Sequence, residues 1–155
     1  MHERKWVAAA PFRAHLNHVC GTTGLSWLVV ALEAGMPLGL VRDLLDVRPG
    51  RRVQRIALDL AFEILSITPE SILAVRSRVV PARSTRQTLR RLVAEGWTCA
   101  TLARRLHTSV SDLDALATGV LPEVPALLDL RLTELLALAE PSPAERSRRS
   151  TGVAA

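Results

Sequence analysis

The chain has 155 residues, of which 48% are hydrophobic and only 3% aromatic, and its formal net charge of +5 comes from 19 arginines and one lysine against 15 acids. A Leu- and Ala-rich sequence without sustained apolar alternation favours helices over strands. No apolar run reaches the roughly 18 to 20 residues that a membrane span needs, and no signal-peptide core forms at the N-terminus. We therefore expect a cytoplasmic, all-α protein without a membrane partner, and the basic charge favours an anionic one.

Residues 1–67 are predicted to form a first module of four helices. Ser26 is placed to cap the second helix, Gly35 to end it, and Pro37 to begin the third. A turn at "VRPGR" then precedes the fourth helix. The predicted helices span 11–20, 26–35, 37–46 and 52–67.

A linker is predicted at 68–82, with one helical turn at "ESILAV", and a second module of four helices at 83–140. Thr98 caps its second helix, Ser109 with Asp112 forms a capping-box-like start to the third, and Gly119 ends that helix. The first helix spans 84–95 and the last ends near Ala139. The tail, 141–155, has no apolar face and is predicted to be disordered.

The two halves repeat each other when residues 24–45 are written against 96–117 without gaps. The repeat lies in residue type more than in identity, and it brings small, capping and apolar residues into the same register. The matched pairs are Gly24 with Gly96, Ser26 with Thr98, Ala31 with Ala103, Val41 with Leu113, and Leu44 with Leu116.

This spacing is typical of a helix-turn-helix. Two short helices that cross steeply need a small residue at the crossing, which Ala31 and Ala103 supply. Gly35 suits the tight turn. An apolar pair three residues apart then buries one face of the third helix and leaves the other free. Because the pattern occurs twice at one spacing, we predict two tandem helix-turn-helix modules.

The stretches "LVVALEAGMPLGLVRDLLDVRPGRRVQRIALDLAFEILSITPE" and "VVPARSTRQTLRRLVAEGWTCATLARRLHTSVSDLDALATG" resemble the tandem helix-turn-helix proteins of actinobacteria and their phages. The resemblance covers most of residues 7–140. It implies an all-helical fold, a cytoplasmic location, duplex DNA as ligand and a role in regulating transcription. His107 stands where such proteins prefer glycine.

In the first module, the predicted DNA contacts gather around the third helix and the turn after it. Arg42 lies on the exposed side of that helix and is the candidate base reader. Four arginines around the Pro-Gly turn, at the N-terminus of the predicted fourth helix, form a phosphate clamp, with a solvated loop as the alternative. They are Arg48, Arg51, Arg52 and Arg55.

In the second module the basic residues come earlier, on helices that straddle the DNA backbone in this motif. The predicted contacts are Arg83, Arg86 and Arg90 on the first helix, Arg104 and Arg105 on the second, and Ser109 and Ser111 at the start of the third. Asp112 and Asp114 on the third helix have three interpretations. Asp112 is a first-turn acid stabilised by the helix dipole, either Asp accepts from a cytosine amine, or the helix contacts a protein partner.

No catalytic motif appears, so we expect no enzyme. His15, His18 and Cys20 lack the four-ligand spacing of a structural zinc site, so we expect no metal and no cofactor. The main rival function is a protein-interaction adaptor that docks on the transcription machinery through the second module. A third hypothesis is a metal- or redox-sensing switch, which would cluster Cys20 and Cys99 with the histidines.

Overall fold

A computed structural model describes residues 5–139, which are mostly helical with a few small strands. This part of the chain divides into two compact units, one ending at Arg78 and the other beginning at Val79. The predicted tail, 141–155, lies outside the described residues. Within 5–139, none of the helices combines the length and the apolar character needed to cross a membrane.

The first unit begins with a short strand and continues through three helices to a second strand and further helical segments. α1 packs against α2, α4 and α5, and α2 packs against α3. The elements are β1 (Trp6–Ala8), α1 (Ala10–Thr23), α2 (Trp27–Glu33), α3 (Leu38–Leu45), β2 (Arg55–Ala57), α4 (Leu58–Ser66), α5 (Pro69–Leu73) and a 3-10 turn (Ala74–Arg76).

The second unit has the same order of strand, three helices, strand and helix. α6 packs against α8 and α9, and α7 packs against both of these helices. The elements are β3 (Val79–Pro81), α6 (Ala82–Ala94), α7 (Cys99–Leu106), α8 (Val110–Thr118), β4 (Glu123–Pro125) and α9 (Ala126–Ala139).

The mostly helical structure is consistent with the predicted all-α class, and the short strands are an addition that was not predicted. In each unit the strand before the first helix pairs antiparallel with the strand before the fourth helix. In the first unit β1 pairs with β2, with Val7 opposite Ile56, and in the second unit β3 pairs with β4, with Val80 opposite Val124. The inward-facing Ile56 and Val124 are buried. Three-residue strands are too short to show an alternating pattern, and their partners lie more than forty residues away in sequence.

The segment 68–82, predicted as a linker, is folded. Thr68 caps α5 by accepting a hydrogen bond from the Ser71 N–H at 3.2 Å. Ile72 and Val75 are buried in the first unit, and this burial explains why the segment is folded and is not an extended linker. The rest of the segment, from Val79, forms β3 and the start of α6 in the second unit.

The fourth helix of the first unit starts later than predicted, at Leu58 instead of residue 52. The cause is β2, which holds Arg55–Ala57 in an extended ladder with β1. The Leu58 N–H donates to the carbonyl of Lys5 at 2.9 Å, so the strand partner also occupies a donor at the helix start. The predicted arginine clamp therefore does not open this helix.

The predicted helix caps are confirmed. Ser26 accepts a hydrogen bond from the Val29 N–H, Thr98 from the Thr101 N–H, and Ser109 from the Asp112 N–H. These bonds satisfy N–H groups that have no partner inside the helix. At the other end of α8, Gly119 takes the left-handed conformation that ends the helix.

The turns that join the second helix to the third have a different residue in the left-handed conformation in each unit. Gly35, with φ of 68°, follows α2, and His107, with φ of 53°, follows α7. Among residues 5–139, His107 is the one non-glycine residue with a positive φ. Glycine adopts this conformation without strain and a side chain does not. The second unit therefore makes the same turn with a less suitable residue.

Candidate nucleic-acid interface

The third helix of the first unit, α3, buries one face and exposes the other. Val41 and Leu44 point into the core, each about 1% exposed. Arg42 lies on the solvent side, where its Nε is 3.3 Å from Oδ1 of Asp43. The neighbouring positions Gly39 and Leu40 are also exposed. The outer face thus carries one cation, its paired carboxylate and an uncharged stretch.

Residues 46–54, which we call the arginine loop, connect α3 to β2. Arg48 is engaged within the loop, because its Nε donates to both carboxylate oxygens of Asp46, at 2.9 and 2.8 Å. The hydrogen bonds from Arg48 lower the pKa of Asp46 to about 2. In the protein alone, Arg48 is therefore paired.

Arg51 and Arg52 are exposed, and no hydrogen bond or ion pair within the described residues engages their guanidinium groups. Arg55 differs, because it belongs to β2 and its Nη2 donates to the Trp6 carbonyl at 3.3 Å. Of the four arginines predicted to form a clamp, two present unpaired guanidinium groups to solvent.

Arg13, which was not among the predicted site residues, is buried beneath the arginine loop. Its Nε donates to the Leu44 carbonyl and its Nη2 to the Val53 carbonyl, both at 2.7 Å. Burial, with the nearby positive charge of Arg52, lowers the pKa of Arg13. The side chain ties α1 to the end of α3 and to the residue that precedes β2 by two positions.

Arg86 makes the same connection in the second unit. Its Nε donates to the Leu116 carbonyl at 2.9 Å and its Nη2 to the Leu121 carbonyl at 3.5 Å. The end of α8 and the following loop thus engage the Arg86 guanidinium, which was predicted as a DNA contact. In both units this arginine ties the first helix to the end of the third helix.

A sequence signal for this pair of arginines exists. The pattern A-x-x-x-R-x-x-L occurs as Ala9, Arg13 and Leu16 in one half and as Ala82, Arg86 and Leu89 in the other. All four of the apolar residues are buried. An arginine held between two buried positions at helical spacing predicts an inward-pointing guanidinium.

The other predicted arginines of the second unit lie on its surface. Arg83 and Arg90 on α6 and Arg104 on α7 are exposed. Arg105 is exposed as well, and its guanidinium carbon lies 5.6 Å from the centroid of the Trp97 ring. This distance is typical of a cation–π contact, which orients the guanidinium without neutralising its charge.

The third helix of the second unit, α8, carries acids on its exposed face. Ser109 is occupied as the N-cap, and Ser111, Asp112 and Asp114 are exposed. Asp112 lies in the first turn, where a carboxylate interacts favourably with the helix dipole. Burial, followed by the charge of Asp114, raises the pKa of the Cys99 thiol on α7. Asp114 thus lies close to the start of α7.

The residues considered for metal or redox chemistry lie apart from any ligand cluster in the described part of the chain. No group of three or more His, Cys, Asp and Glu side chains within 5–139 could hold a metal ion. His15 contacts the Ile67 carbonyl through Nε2 at 2.8 Å. Burial raises the pKa of Cys20, which keeps that thiol protonated and less nucleophilic.

A comparison with known proteins adds no assignment to this picture. No family model, no curated protein sequence and no solved structure matches the chain. Each unit carries its own candidate surface: the arginine loop with the exposed face of α3 in the first, and the exposed face of α8 with the surface arginines of α6 and α7 in the second.

Proposed function

We propose that the chain binds duplex DNA as a transcriptional regulator, through tandem helix-turn-helix modules formed by α2 with α3 and by α7 with α8. In support, each pair of helices is joined by a turn with a left-handed residue, Gly35 or His107. Ala31 and Ala103 are buried in α2 and α7, where a helix crossing requires a small side chain. The exposed faces of α3 and α8 are the surfaces that would enter the major groove.

The observation that carries the DNA proposal is the pair of exposed, unpaired guanidinium groups at Arg51 and Arg52. The loop that holds them follows α3 directly, so an α3 helix placed in the major groove brings the loop to the flanking phosphates. Guanidinium groups bind phosphate oxygens with two parallel hydrogen bonds, which lysine cannot do. Arg52 also adds to the positive potential around buried Arg13.

Fluorescence-anisotropy titration of random duplex DNA over a salt series tests the proposal. We expect the logarithm of the binding constant to fall linearly with the logarithm of the salt concentration, by about 0.9 for each phosphate contact. Arg51→Gln with Arg52→Gln should reduce that slope by about 2. Arg51→Lys with Arg52→Lys keeps both charges and should restore most of the slope while binding more weakly than wild type.

One result would count against DNA binding itself, and another against the role of the arginine loop in it. Absence of binding by the wild type at low salt would overturn the proposal. A glutamine variant that binds as the wild type does would remove the arginine loop from the interface. Selection from a random-sequence DNA library would then test whether binding is sequence-directed, with Arg42 as the expected base reader.

The second unit also supports a different candidate function, docking of a protein partner on α8. Asp112 and Asp114 are exposed on this helix, Val110 is 43% exposed, and the helix has no basic residue. Two carboxylates repel DNA phosphates, and basic side chains of a protein would pair with them. Asp112→Asn with Asp114→Asn should raise DNA affinity if α8 faces DNA and leave it unchanged if α8 faces a protein.

A further inference from the structure

An acid lies within the most basic segment of the first unit. Asp46 follows α3 directly and is the C-cap residue of that helix. Its side chain is 11% exposed, whereas that of Arg48 is 63% exposed. Three nitrogens of Arg48 contact the carboxylate. Nε donates to Oδ1 and Oδ2, Nη2 donates to Oδ2, and the backbone N–H donates to Oδ1 at 2.9 Å.

The position of Asp46 is unfavourable for the helix itself. The C-terminus of a helix carries partial negative charge, which disfavours a carboxylate and favours a cation. Arg48 compensates for this, and the pKa of Asp46 falls to about 2 because of the hydrogen bonds from Arg48. The carboxylate thus has two partners, the Arg48 backbone N–H, which forms the turn after α3, and the Arg48 guanidinium, which contributes more to holding the carboxylate ionised.

The corresponding loop of the second unit, residues 119–122, contains neither an acid nor an arginine, so an equivalent pair cannot form there. The two carbonyls that Arg13 binds belong to residues 44 and 53, nine positions apart, and those that Arg86 binds belong to residues 116 and 121, five apart. The arginine loop is thus longer by four residues between the same two anchor points. The longer loop brings both additional arginines and the acid that pairs with one of them.

We infer that Asp46 is an internal competitor for the DNA phosphate, which holds Arg48 in the free protein and gives it up to a phosphate diester on binding. The inference rests on the proposed function. An Arg48 guanidinium that moves from Asp46 to a phosphate leaves the carboxylate unpaired beside the DNA. The negative charge of Asp46 then offsets the positive charge that Arg48 brings to the interface. Arg48 therefore adds little to the net release of ions in the wild type.

Asp46→Asn removes the competing charge and keeps a side-chain oxygen for the Arg48 N–H, so the turn is preserved. In anisotropy titrations, we expect its salt slope to be steeper than that of the wild type by about 0.9, the value for one additional phosphate contact. Near 0.1 M salt this corresponds to about five- to tenfold tighter binding. Glu63→Gln is the matched control, because Glu63 is an exposed carboxylate on α4 without an arginine partner among the described contacts.

The decisive measurement is a double-mutant cycle with Arg48→Ala. In the wild-type background we expect this substitution to change affinity less than about twofold, because the phosphate contact that Arg48 gains on binding is offset by the Asp46 contact that it loses. In the Asp46→Asn background the same substitution should cost about five- to tenfold and remove the extra slope. Equal effects of Arg48→Ala in both backgrounds would overturn the competitor role.

The cycle separates this inference from the proposed function. If the wild type binds DNA with strong salt dependence and Asp46→Asn matches Glu63→Gln, DNA binding stands and the role of Asp46 is overturned. If the wild type does not bind DNA at low salt, both are overturned. A steeper slope for Asp46→Asn alone, with Glu63→Gln unchanged, supports the competitor.

Discussion

In the first unit three exposed arginines, Arg48, Arg51 and Arg52, follow the third helix in the arginine loop, whereas in the second unit the exposed arginines precede the third helix, on α6 and α7. The third helices differ in the same sense, since α3 exposes Arg42 and α8 exposes Asp112 and Asp114. The order of elements is nonetheless the same in both units. Surface charge in this chain therefore varies independently of the scaffold that supports it.

Each unit has an arginine at the equivalent position that holds its helices together. Arg13 and Arg86 each join the first helix to the end of the third helix and to the loop after it. Arginine content is thus a poor guide to a binding surface unless the inward-pointing side chains are first set aside. The comparison between the units identifies them, because their position is conserved within the repeat and the loop arginines have no counterpart.

The largest effect should follow from making the two loops equal. Deleting residues 48–51 gives the first unit the loop length of the second and removes two arginines while leaving Asp46. We expect DNA affinity near 50 mM salt to fall at least about tenfold, as measured by anisotropy. The anchoring bonds of Arg13 should survive, because Arg86 spans the shorter loop in the second unit.

Hydrogen exchange followed by mass spectrometry provides the control for that deletion. Peptides covering α1 and α3 should keep their protection if the fold is intact. Retained protection together with unchanged DNA affinity would contradict a special role for the longer loop and would make the two units equivalent in binding.

A second comparison sets Arg13→Met beside Arg86→Met. Both variants leave helix-terminal and loop carbonyls without a donor, and hydrogen bonds to charged groups contribute about 1.5–3 kcal/mol. Arg13 is only 7% exposed and makes the shorter bonds. We therefore expect Arg13→Met to lower the free energy of unfolding by about 3 kcal/mol and Arg86→Met to lower it by about half of that.

Hydrogen exchange would report each loss in its own unit, with α1 peptides for one variant and α6 peptides for the other. Arg13→Lys is the control, since it keeps the charge but cannot reach both carbonyls, and it should recover only part of the stability. An Arg86 variant that costs nothing would contradict its structural assignment.

The turns between the second and third helices should respond in opposite directions. His107→Gly removes a side chain from a left-handed conformation and should stabilise the second unit by about 1 kcal/mol, whereas Gly35→Ala should destabilise the first by a similar amount. Nothing lies within 4 Å of a Cβ built on Gly35, so its backbone conformation is the cause of the penalty. Urea unfolding measures both, and equal signs would contradict the strain at His107.

The smallest effect concerns pH. Because the folded pKa of Asp46 is lowered to about 2, its ionised form stabilises the fold fully above the ordinary carboxyl pKa of about 3.9. That contribution is lost as the pH falls from there through about 2. Carboxyl-carbon NMR should give a midpoint near 2 in the wild type and a higher midpoint in Arg48→Ala, which keeps the backbone N–H of residue 48 and the charge of Arg51 but loses the guanidinium that lowers the pKa of Asp46 most. An unchanged midpoint in the variant would assign the shift to another group.

Local signals in the sequence predicted the helices well. Ser26, Thr98 and Ser109 cap helices because a hydroxyl next to the first turn needs only its own neighbours to form the bond. The pairing of Val7 with Ile56 could not be predicted in this way, because three residues carry no periodicity and the partner is distant in sequence. The helix start at Leu58 was misplaced for the same reason.

The partners of the arginine side chains were harder to predict from the sequence than the helices were. Arg83 and Arg86 lie on one helix within a turn of each other, yet one is exposed and the other reaches two carbonyls. The spacing of Ala82, Arg86 and Leu89 marks Arg86 as the inward-pointing arginine, but the carbonyls that it reaches depend on the path of the loop after α8, which the helix sequence does not specify. The pairing of Arg48 with Asp46 was missed because both residues lie in a turn without a repeating pattern.

The short strand pairs limit where the chain can be divided into two folded fragments. A fragment that begins at residue 83, where the predicted second module starts, would lack β3 and would strip Val124 of its ladder partner, Val80. A fragment that ends at residue 67 would lose the buried Ile72 and Val75 of the first unit. A cut that spares both runs of contacts, together with the hydrogen bonds from Arg78 to Glu33, falls between Arg78 and Val79.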